Sequence, residues 1–187
     1  MASPWRWRGK PLLLLYLIAA HPHGLPRQRA WSLLWDDDGT QSLRQALVSL
    51  RRLRGAADWL EDGELLCVNS TVDAAAFEDA VSQRDYARAL ELHRGALLEG
   101  VQVRTATDFQ DWLDVERMRL QELLLEALRG RSVELNDVQP LEALRIVERW
   151  QIIDPLSEDA LQAALKLELH LGRRAAALLR VSSLAAR

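Results

Sequence analysis

Two alanine–leucine pairs, 34 residues apart, constrain the fold of the C-terminal part of this chain more than any other feature. Ala143-Leu144 and Ala177-Leu178 both lie in helix-period hydrophobic patterns, and Asp154-Pro155 separates the two helices of the first repeat. Small residues let neighbouring helices approach closely, while a proline interrupts the helix before it. The spacing therefore predicts helix pairs that stack on one another in a repeat.

Helical patterns also cover the sequence before these pairs, as far back as Val72. The 187 residues are rich in Leu, Ala, Arg and Glu and include only 9 Gly and 6 Pro, a composition that favours helix. Residues 85–90 resemble an earlier copy of the repeat, and a long helix is inserted before Ala143. Residues 71–187 are thus predicted to form a domain similar to tetratricopeptide repeats. Its helices are expected at about 73–82, 85–99, 108–130, 138–151, 157–171 and 173–185.

Residues 1–70 have a different pattern, with three short helices followed by two short strands. Helices are predicted at 11–20, at 27–35 and from Thr40 or Ser42. One face of the third helix carries Leu43, Ala46, Leu47, Leu50 and Leu53. Apolar residues 59–60 and 65–68 flank a turn that contains Gly63, which is typical of a β-hairpin. We interpret this segment as a winged helix-turn-helix domain. Together with the helical pattern of residues 71–187, it predicts a chain that is mainly α-helical.

The third helix has a basic outer face that is suited to DNA. At 100° per residue, the side opposite its apolar stripe carries Arg44, Gln45, Val48, Arg51 and Arg52. The major groove admits such a helix, whose Arg and Gln side chains reach phosphates and base edges and whose valine can contact a thymine methyl group. We therefore predict that residues 42–54 are a recognition helix. Arg27, Arg29 and Arg54 are predicted to position it on phosphates.

Charge both supports and opposes this interpretation. Residues 1–70 hold 9 Lys and Arg against 7 Asp and Glu, whereas residues 71–187 hold 15 against 20. However, the hairpin turn carries Glu61, Asp62 and Glu64, and DNA phosphates repel an acidic wing. Two alternatives therefore stay open. The third helix is an ordinary amphipathic helix with a solvated basic face, or the chain is a protein-interaction module that has kept a winged helix without DNA affinity.

The sequence contains no arrangement of residues that is typical of an enzyme or a metal site. His21 and His23 lie in a Pro/Gly turn without a third ligand, and the aspartates at 36–38 are expected to form a solvated turn that caps a helix. Catalytic and phosphate-binding motifs are absent from the sequence. We expect a non-enzymatic protein without a metal or another cofactor.

The features that bear on location favour the cytoplasm. Cys67 is the single cysteine, so no internal disulfide can form. Basic residues at 6, 8 and 10 precede the apolar run 12–20 and mimic a secretory signal, but a typical cleavage site does not follow. That run is also too short to span a membrane, so no membrane association is expected.

Several segments resemble the bacterial transcriptional activator domain family, which includes regulators of antibiotic pathways. Residues 26–35 and 42–54 resemble the positioning and recognition helices of its winged helix, and residues 72–73, 77–78, 97–100 and 112–120 resemble its helical activator domain. The resemblance implies a sequence-specific transcription factor that binds double-stranded DNA. It also implies that the helical domain contacts RNA polymerase or another protein, or forms a homodimer. The chain departs from the family in nearly lacking strands before the first helix, in a short loop at 36–41 and in its acidic wing.

Overall fold

A computed structural model describes residues 9–35, 39–53, 56–69, 72–101, 103 and 105–185 of the chain. These residues are mainly α-helical, with a small antiparallel sheet of three strands, which confirms the predicted helical character. The chain divides into two compact units. The first is formed by Met1–Ala75 with Gly95–Met118, and the second by Ala76–Arg94 with Arg119–Arg187.

Among the described residues, four helices and the small sheet lie within the N-terminal segment of the first unit. Its elements in chain order are α1 (Lys10–Ala19), β1 (Leu25–Pro26), α2 (Arg27–Leu34), α3 (Thr40–Arg51), α4 (Ala56–Trp59), β2 (Leu60–Asp62) and β3 (Leu65–Val68). Helices α1, α2 and α3 agree with the three predicted helices. The antiparallel pairing of β2 with β3, in which Asp62 lies opposite Leu66, confirms the predicted hairpin.

The strand β1 lies where the sequence pattern predicts only a break between two helices. It pairs with β3 in a sheet of order β1-β3-β2, with Leu25 opposite Leu66. Gly24 precedes it with a φ of 90°, and a Cβ atom there would lie 2.9 Å from Cys67 Sγ and 3.0 Å from Leu65 Cβ. Glycine is needed at this position because the backbone is left-handed and also passes directly against β3.

The core of the first unit joins these elements to residues far along the sequence. The predicted apolar stripe of α3 is confirmed, because all of it is buried except Leu53, which is partly buried. Its buried members are Leu43, Ala46, Leu47 and Leu50. Leu98, Phe109 and Leu113 pack in the same core. The division of the sequence at residue 70 does not anticipate this packing, and the predicted domains 1–70 and 71–187 stay a prediction.

The remaining helices supply the second unit, to which α5 and α7 contribute only part of their residues. They are α5 (Asp73–Ser82), α6 (Tyr86–Leu92), α7 (Thr107–Leu135), α8 (Pro140–Ile153), α9 (Glu158–His170) and α10 (Arg174–Ala185). Over the described ranges, none of the helices combines the length and the apolar character that crossing a bilayer requires.

Helices α8, α9 and α10 pack against one another in chain order. Ala143 of α8 and Ala164 of α9 are fully buried, and their small side chains let the helices approach closely. The two alanine–leucine pairs are not equivalent, however. Ala177 is buried like Ala143, but Leu178 is 69% exposed whereas Leu144 is 3% exposed.

The helix α6 is much shorter than the helix predicted at 85–99, because it ends at Leu92. Leu98 has a φ of 55°, a left-handed conformation that a continuing helix does not allow. Arg117 Nε donates to Leu97 O at 2.9 Å, so a side chain distant in sequence stabilises this turn. The local pattern of residues 93–99 does not contain that information.

The helix α7 passes through Gly130 and ends at Leu135, whereas the prediction ends it near residue 130. The ring of Tyr86, the first residue of α6, lies directly against this glycine. A Cβ atom on Gly130 would lie within 2.5 Å of three ring carbons of Tyr86. The glycine therefore makes room for an aromatic ring and does not end the helix.

Candidate nucleic-acid interface

The packing of Gly39 against two tryptophans sets the direction of the outer face of α3. Gly39 immediately precedes α3, and a Cβ atom there would lie 2.9 Å from Trp35 Cβ and 3.1 Å from Trp31 Cβ. Lys10 Nζ lies 5.3 Å from the centroid of the Trp35 ring, so the same tryptophan also contacts α1. With its apolar stripe buried and its first turn crowded by two tryptophans, α3 is fixed with the opposite side toward solvent.

Three neighbouring side chains on that side form what we call the exposed row: Arg44, Gln45 and Val48. Arg44 and Gln45 are exposed, and Val48 is 40% exposed. The three directions fall within an arc of about 100° in a regular helix. Neither the Arg44 guanidinium nor the Gln45 amide makes a hydrogen bond or an ion pair with another described residue. Their donors and acceptors are therefore available to a ligand.

The hairpin engages two other arginines that the sequence predicts as DNA contacts. Arg27 Nε donates to Gly63 O, and Arg27 Nη2 donates to Asp62 O, both at 2.8 Å. Arg27 Nη2 also lies 3.4 Å from Asp62 Oδ2, and Arg51 Nη2 pairs with the same oxygen. The Asp62 side chain is only 17% exposed. We refer to Arg27, Arg51 and Asp62 as the Asp62 cluster.

Three further arginines were predicted as DNA contacts: Arg29, Arg52 and Arg54. Arg29 and Arg52 are exposed, and their side chains have no partner among the residues that the structure describes. Arg54 lies outside the described residues, as do the aspartates at 36–38. The contact of all these side chains with DNA stays a prediction.

The acidic hairpin turn is not electrostatically uniform. Asp62 faces two guanidinium groups, whereas Glu61 accepts a hydrogen bond from Asn69, and Glu64 is exposed without an ion pair in the described part of the chain. Sequence reasoning treats the three carboxylates as equal sources of repulsion. It missed the pairing of Asp62 because its partners lie 35 and 11 residues away. The opposite charges of Asp62 and the arginines were the only signal in the sequence for this pairing. The hairpin register was also needed to place Asp62 beside them.

Two of the four histidines, His21 and His93, have packing partners. His21 stacks on Trp112 with ring centroids 6.4 Å apart, and its Nδ1 lies 2.7 Å from a backbone carbonyl of α1. In the second unit, His93 contacts Phe77 and Arg149, and the pKa of His93 is lowered, first by burial and then by the charge of Arg149. In the described ranges, His, Cys, Asp and Glu residues form no group of three that could hold a metal ion.

The helix α10 carries a second candidate surface, in the second unit. Leu178, Leu179 and Val181 are 69%, 72% and 49% exposed, and we call them the α10 patch. Single exposed apolar residues are common, but these three lie within four positions of one helix, so we take them as a candidate apolar surface. On its inner side α10 is held by Arg180, whose Nη2 lies 2.7 Å from Oε1 of the buried Glu168.

Comparison with known proteins identifies the family. The family model of the bacterial transcriptional activator domain matches residues 64–184. The chain belongs to this family. Membership confirms the resemblance seen in the sequence and implies a role in the activation of transcription, in a regulatory family and not an enzymatic one. Neither the curated proteins nor the solved structures contain a match. The match begins after α3, so it does not include the predicted recognition helix.

Proposed function

We propose that this member of the bacterial transcriptional activator domain family is a DNA-binding transcriptional regulator. In this proposal α2, the turn at Gly39 and α3 form a helix-turn-helix, and β2 with β3 forms its wing. The exposed row carries the proposal, because its polar side chains have no partner among the described residues. Arg and Gln side by side match the acceptor and donor pattern of base edges in the major groove.

The dimensions of α3 support this assignment. Its 12 residues span about 18 Å, and a helix with its side chains is about as wide as the major groove. Arg44 is assigned to guanine, Gln45 to adenine and Val48 to a thymine methyl group. Arg29 and Arg52, which are exposed, are assigned to phosphates, as is Arg54 on sequence grounds.

The second unit is proposed to bind a protein. Residues 76–94 and 119–187, which form this unit, hold 13 Lys and Arg against 14 Asp and Glu, so the unit offers no excess of positive charge to phosphates. The stacked helices α8, α9 and α10 support a tetratricopeptide-like arrangement, and the α10 patch offers an apolar surface. Its partner is proposed to be RNA polymerase, another regulator or a second copy of the chain, in the cytoplasm.

The Asp62 cluster favours a second candidate function. Two of the predicted phosphate contacts already have a carboxylate partner, which lowers the positive charge available to DNA. On this alternative the chain keeps the winged-helix fold but acts only through protein contacts of the second unit.

Salt-dependent DNA binding separates the two functions. Fluorescence anisotropy would be measured with random-sequence and genomic duplexes between about 50 and about 200 mM salt. Arg44→Ala is the test variant, and Arg174→Ala is the matched control, because Arg174 is exposed at the start of α10 and outside the proposed interface. We expect Arg44→Ala to weaken binding to the best genomic duplex by about 5-fold to about 150-fold, and Arg174→Ala to leave it within about twofold.

The outcomes differ clearly. Binding that weakens with salt, and that Arg44→Ala reduces on the best duplex more than on random DNA, supports a base-reading helix. A folded chain that binds no duplex even at the lowest salt would exclude DNA binding and favour the interaction module. Leu178→Glu would then test the α10 patch. The substitution should abolish self-association in sedimentation, or binding of a partner that copurifies with the wild-type chain.

A further inference from the structure

Asp62 occupies a position that no other acidic residue of the hairpin has. It ends β2, where its pairing with Leu66 of β3 fixes the direction of the strand. Its carboxylate faces Arg27 from the first turn of α2 and Arg51 from the last turn of α3. Arg27 is held further by the backbone carbonyls of Asp62 and Gly63. One side chain thus connects the hairpin to both helices of the proposed reading unit.

This arrangement competes with DNA for the two arginines. A phosphate that binds Arg27 or Arg51 has to share or replace the carboxylate, because a guanidinium gains its strongest hydrogen bonds from one anion at a time in a forked geometry. The side chains of Arg51 and Arg27 are 56% and 43% exposed. Without the carboxylate Arg51 could reach a phosphate, whereas Arg27 would also have to leave the backbone carbonyls of Asp62 and Gly63. The exposed row is not part of the competition, since Arg44 and Gln45 have no such partner.

We propose that Asp62 limits the phosphate affinity of this regulator by holding Arg27 and Arg51 in the Asp62 cluster. The inference rests on the proposed DNA-binding function and concerns how that binding is tuned. Phosphate contacts are independent of sequence, whereas the exposed row reads bases. Withholding two phosphate contacts lowers binding to random DNA and leaves recognition of the operator to depend more on Arg44, Gln45 and Val48.

A positioning role for Asp62 predicts the opposite sign, which makes the inference testable. If the carboxylate served to aim Arg51 at a phosphate, its loss would weaken DNA binding. If it withholds the arginines, its loss strengthens binding and makes it more dependent on salt.

The test compares Asp62→Asn with Glu64→Gln in the full chain. Both variants replace a carboxylate of the hairpin by its amide, but Glu64 is exposed and has no described ion pair. Affinity for a random-sequence duplex would be followed by anisotropy between about 50 and about 200 mM salt. Each phosphate contact contributes about 3.5-fold to the loss of affinity over that fourfold salt change. We expect Asp62→Asn to increase this loss by about 3-fold to about 10-fold, for one or two released contacts, and Glu64→Gln to change it by less than about 2-fold.

A second comparison begins with Asp62 in place, and this first measurement does not depend on the folding of Asp62→Asn. Arg51→Ala is expected to change random-DNA affinity by less than about twofold in the wild-type chain, because Arg51 is already engaged. In the Asp62→Asn background the same substitution is expected to weaken binding by about threefold or more at about 50 mM salt, where phosphate contacts contribute most. This difference measures the withheld contact directly.

Three results would overturn the inference. In the first, the wild-type chain binds DNA but Asp62→Asn binds it no more tightly than Glu64→Gln does. This result rejects the withholding role and leaves the DNA-binding function intact. A full effect of Arg51→Ala in the wild-type chain rejects it in the same way. If neither the wild-type chain nor Asp62→Asn binds any duplex at low salt, both the inference and the proposed function fail.

Discussion

The contact between Gly130 and Tyr86 gives the sharpest stability prediction. Adding a methyl group at Gly130 has two opposing effects of known size, a better helix former and a clash with the ring. A methyl group on Gly130 would overlap three ring carbons of Tyr86, each within 2.5 Å of the added Cβ. Ordinary van der Waals contact between carbons needs about 3.5 to 4 Å, so the ring would have to move by more than about 1 Å. Tyr86 is the first residue of α6 and is partly buried, so this movement disturbs the packing of α6 on α7.

The magnitude follows from the two effects. Replacing glycine by alanine inside a helix favours the folded state by about 1 kcal/mol. Forcing an extra carbon into a packed site costs about 1 to 3 kcal/mol. Because the ring contact is closer than any relaxed one, we expect the cost to be in the upper part of that range. Gly130→Ala should therefore lower the free energy of unfolding by about 1 to 2 kcal/mol, despite the better helix former.

The assay is urea unfolding followed by far-ultraviolet circular dichroism, with the midpoint compared at constant m-value. The control is the same substitution in a Tyr86→Ala background, where no ring opposes the methyl group. There Gly130→Ala should raise the free energy of unfolding by about 1 kcal/mol, so the effect changes sign between backgrounds. The reasoning is refuted if Gly130→Ala stabilises the chain that retains Tyr86, or if the two backgrounds respond equally.

Three further predictions concern the second unit. Arg180→Ala should lower the free energy of unfolding by about 3 kcal/mol in urea titrations, because Glu168 is 3% exposed and loses its guanidinium partner; an effect below about 1 kcal/mol would contradict this. Ser157→Ala should cost about 1 kcal/mol, since the Ser157 hydroxyl accepts a hydrogen bond from a backbone N–H in the first turn of α9, and Ser157→Asp should preserve stability. His93 has a lowered pKa in the folded chain, so the unfolded chain binds a proton more readily and stability should fall as pH decreases below the ordinary value of 6.5. In thermal unfolding from about pH 8 to about pH 5, the stability of His93→Gln should decrease less than that of the wild-type chain. An equal decrease in the two chains would contradict the prediction.

The elements that could be predicted from the sequence are those with a local cause. The stripe on α3 repeats at helical spacing, and its burial follows from that spacing alone. The hairpin at Gly63 has a turn residue between two short apolar runs, and it forms with the expected strands. The family resemblance was likewise carried by contiguous segments, and the match over residues 64–184 confirms it.

The elements that could not be predicted depend on partners distant in sequence. β1 forms because Leu25 pairs with Leu66 in β3, and the sequence around Leu25 has no pattern that predicts a strand. The turn after α6 is stabilised by Arg117, which lies 20 residues from the carbonyl it contacts. In the candidate site, the exposed row was predictable from the period of α3, but the pairing of Arg51 with Asp62 required the register of the hairpin. Local chemistry set the face of the helix, and tertiary contacts decided which of its arginines are available.

Because Leu98, Phe109 and Leu113 complete the core around α1, α2 and α3, a single genetic crossover near residue 70 would not transfer a self-sufficient unit to another gene. The donated piece would lack three buried side chains, and the recipient would retain an aromatic residue with no core to fill. Recombination that exchanges one half of such a protein is therefore expected to produce unstable hybrids. If the proposed DNA-binding function holds, new operator preferences would arise more readily by point mutation at positions 44, 45 and 48, where a change leaves the core untouched.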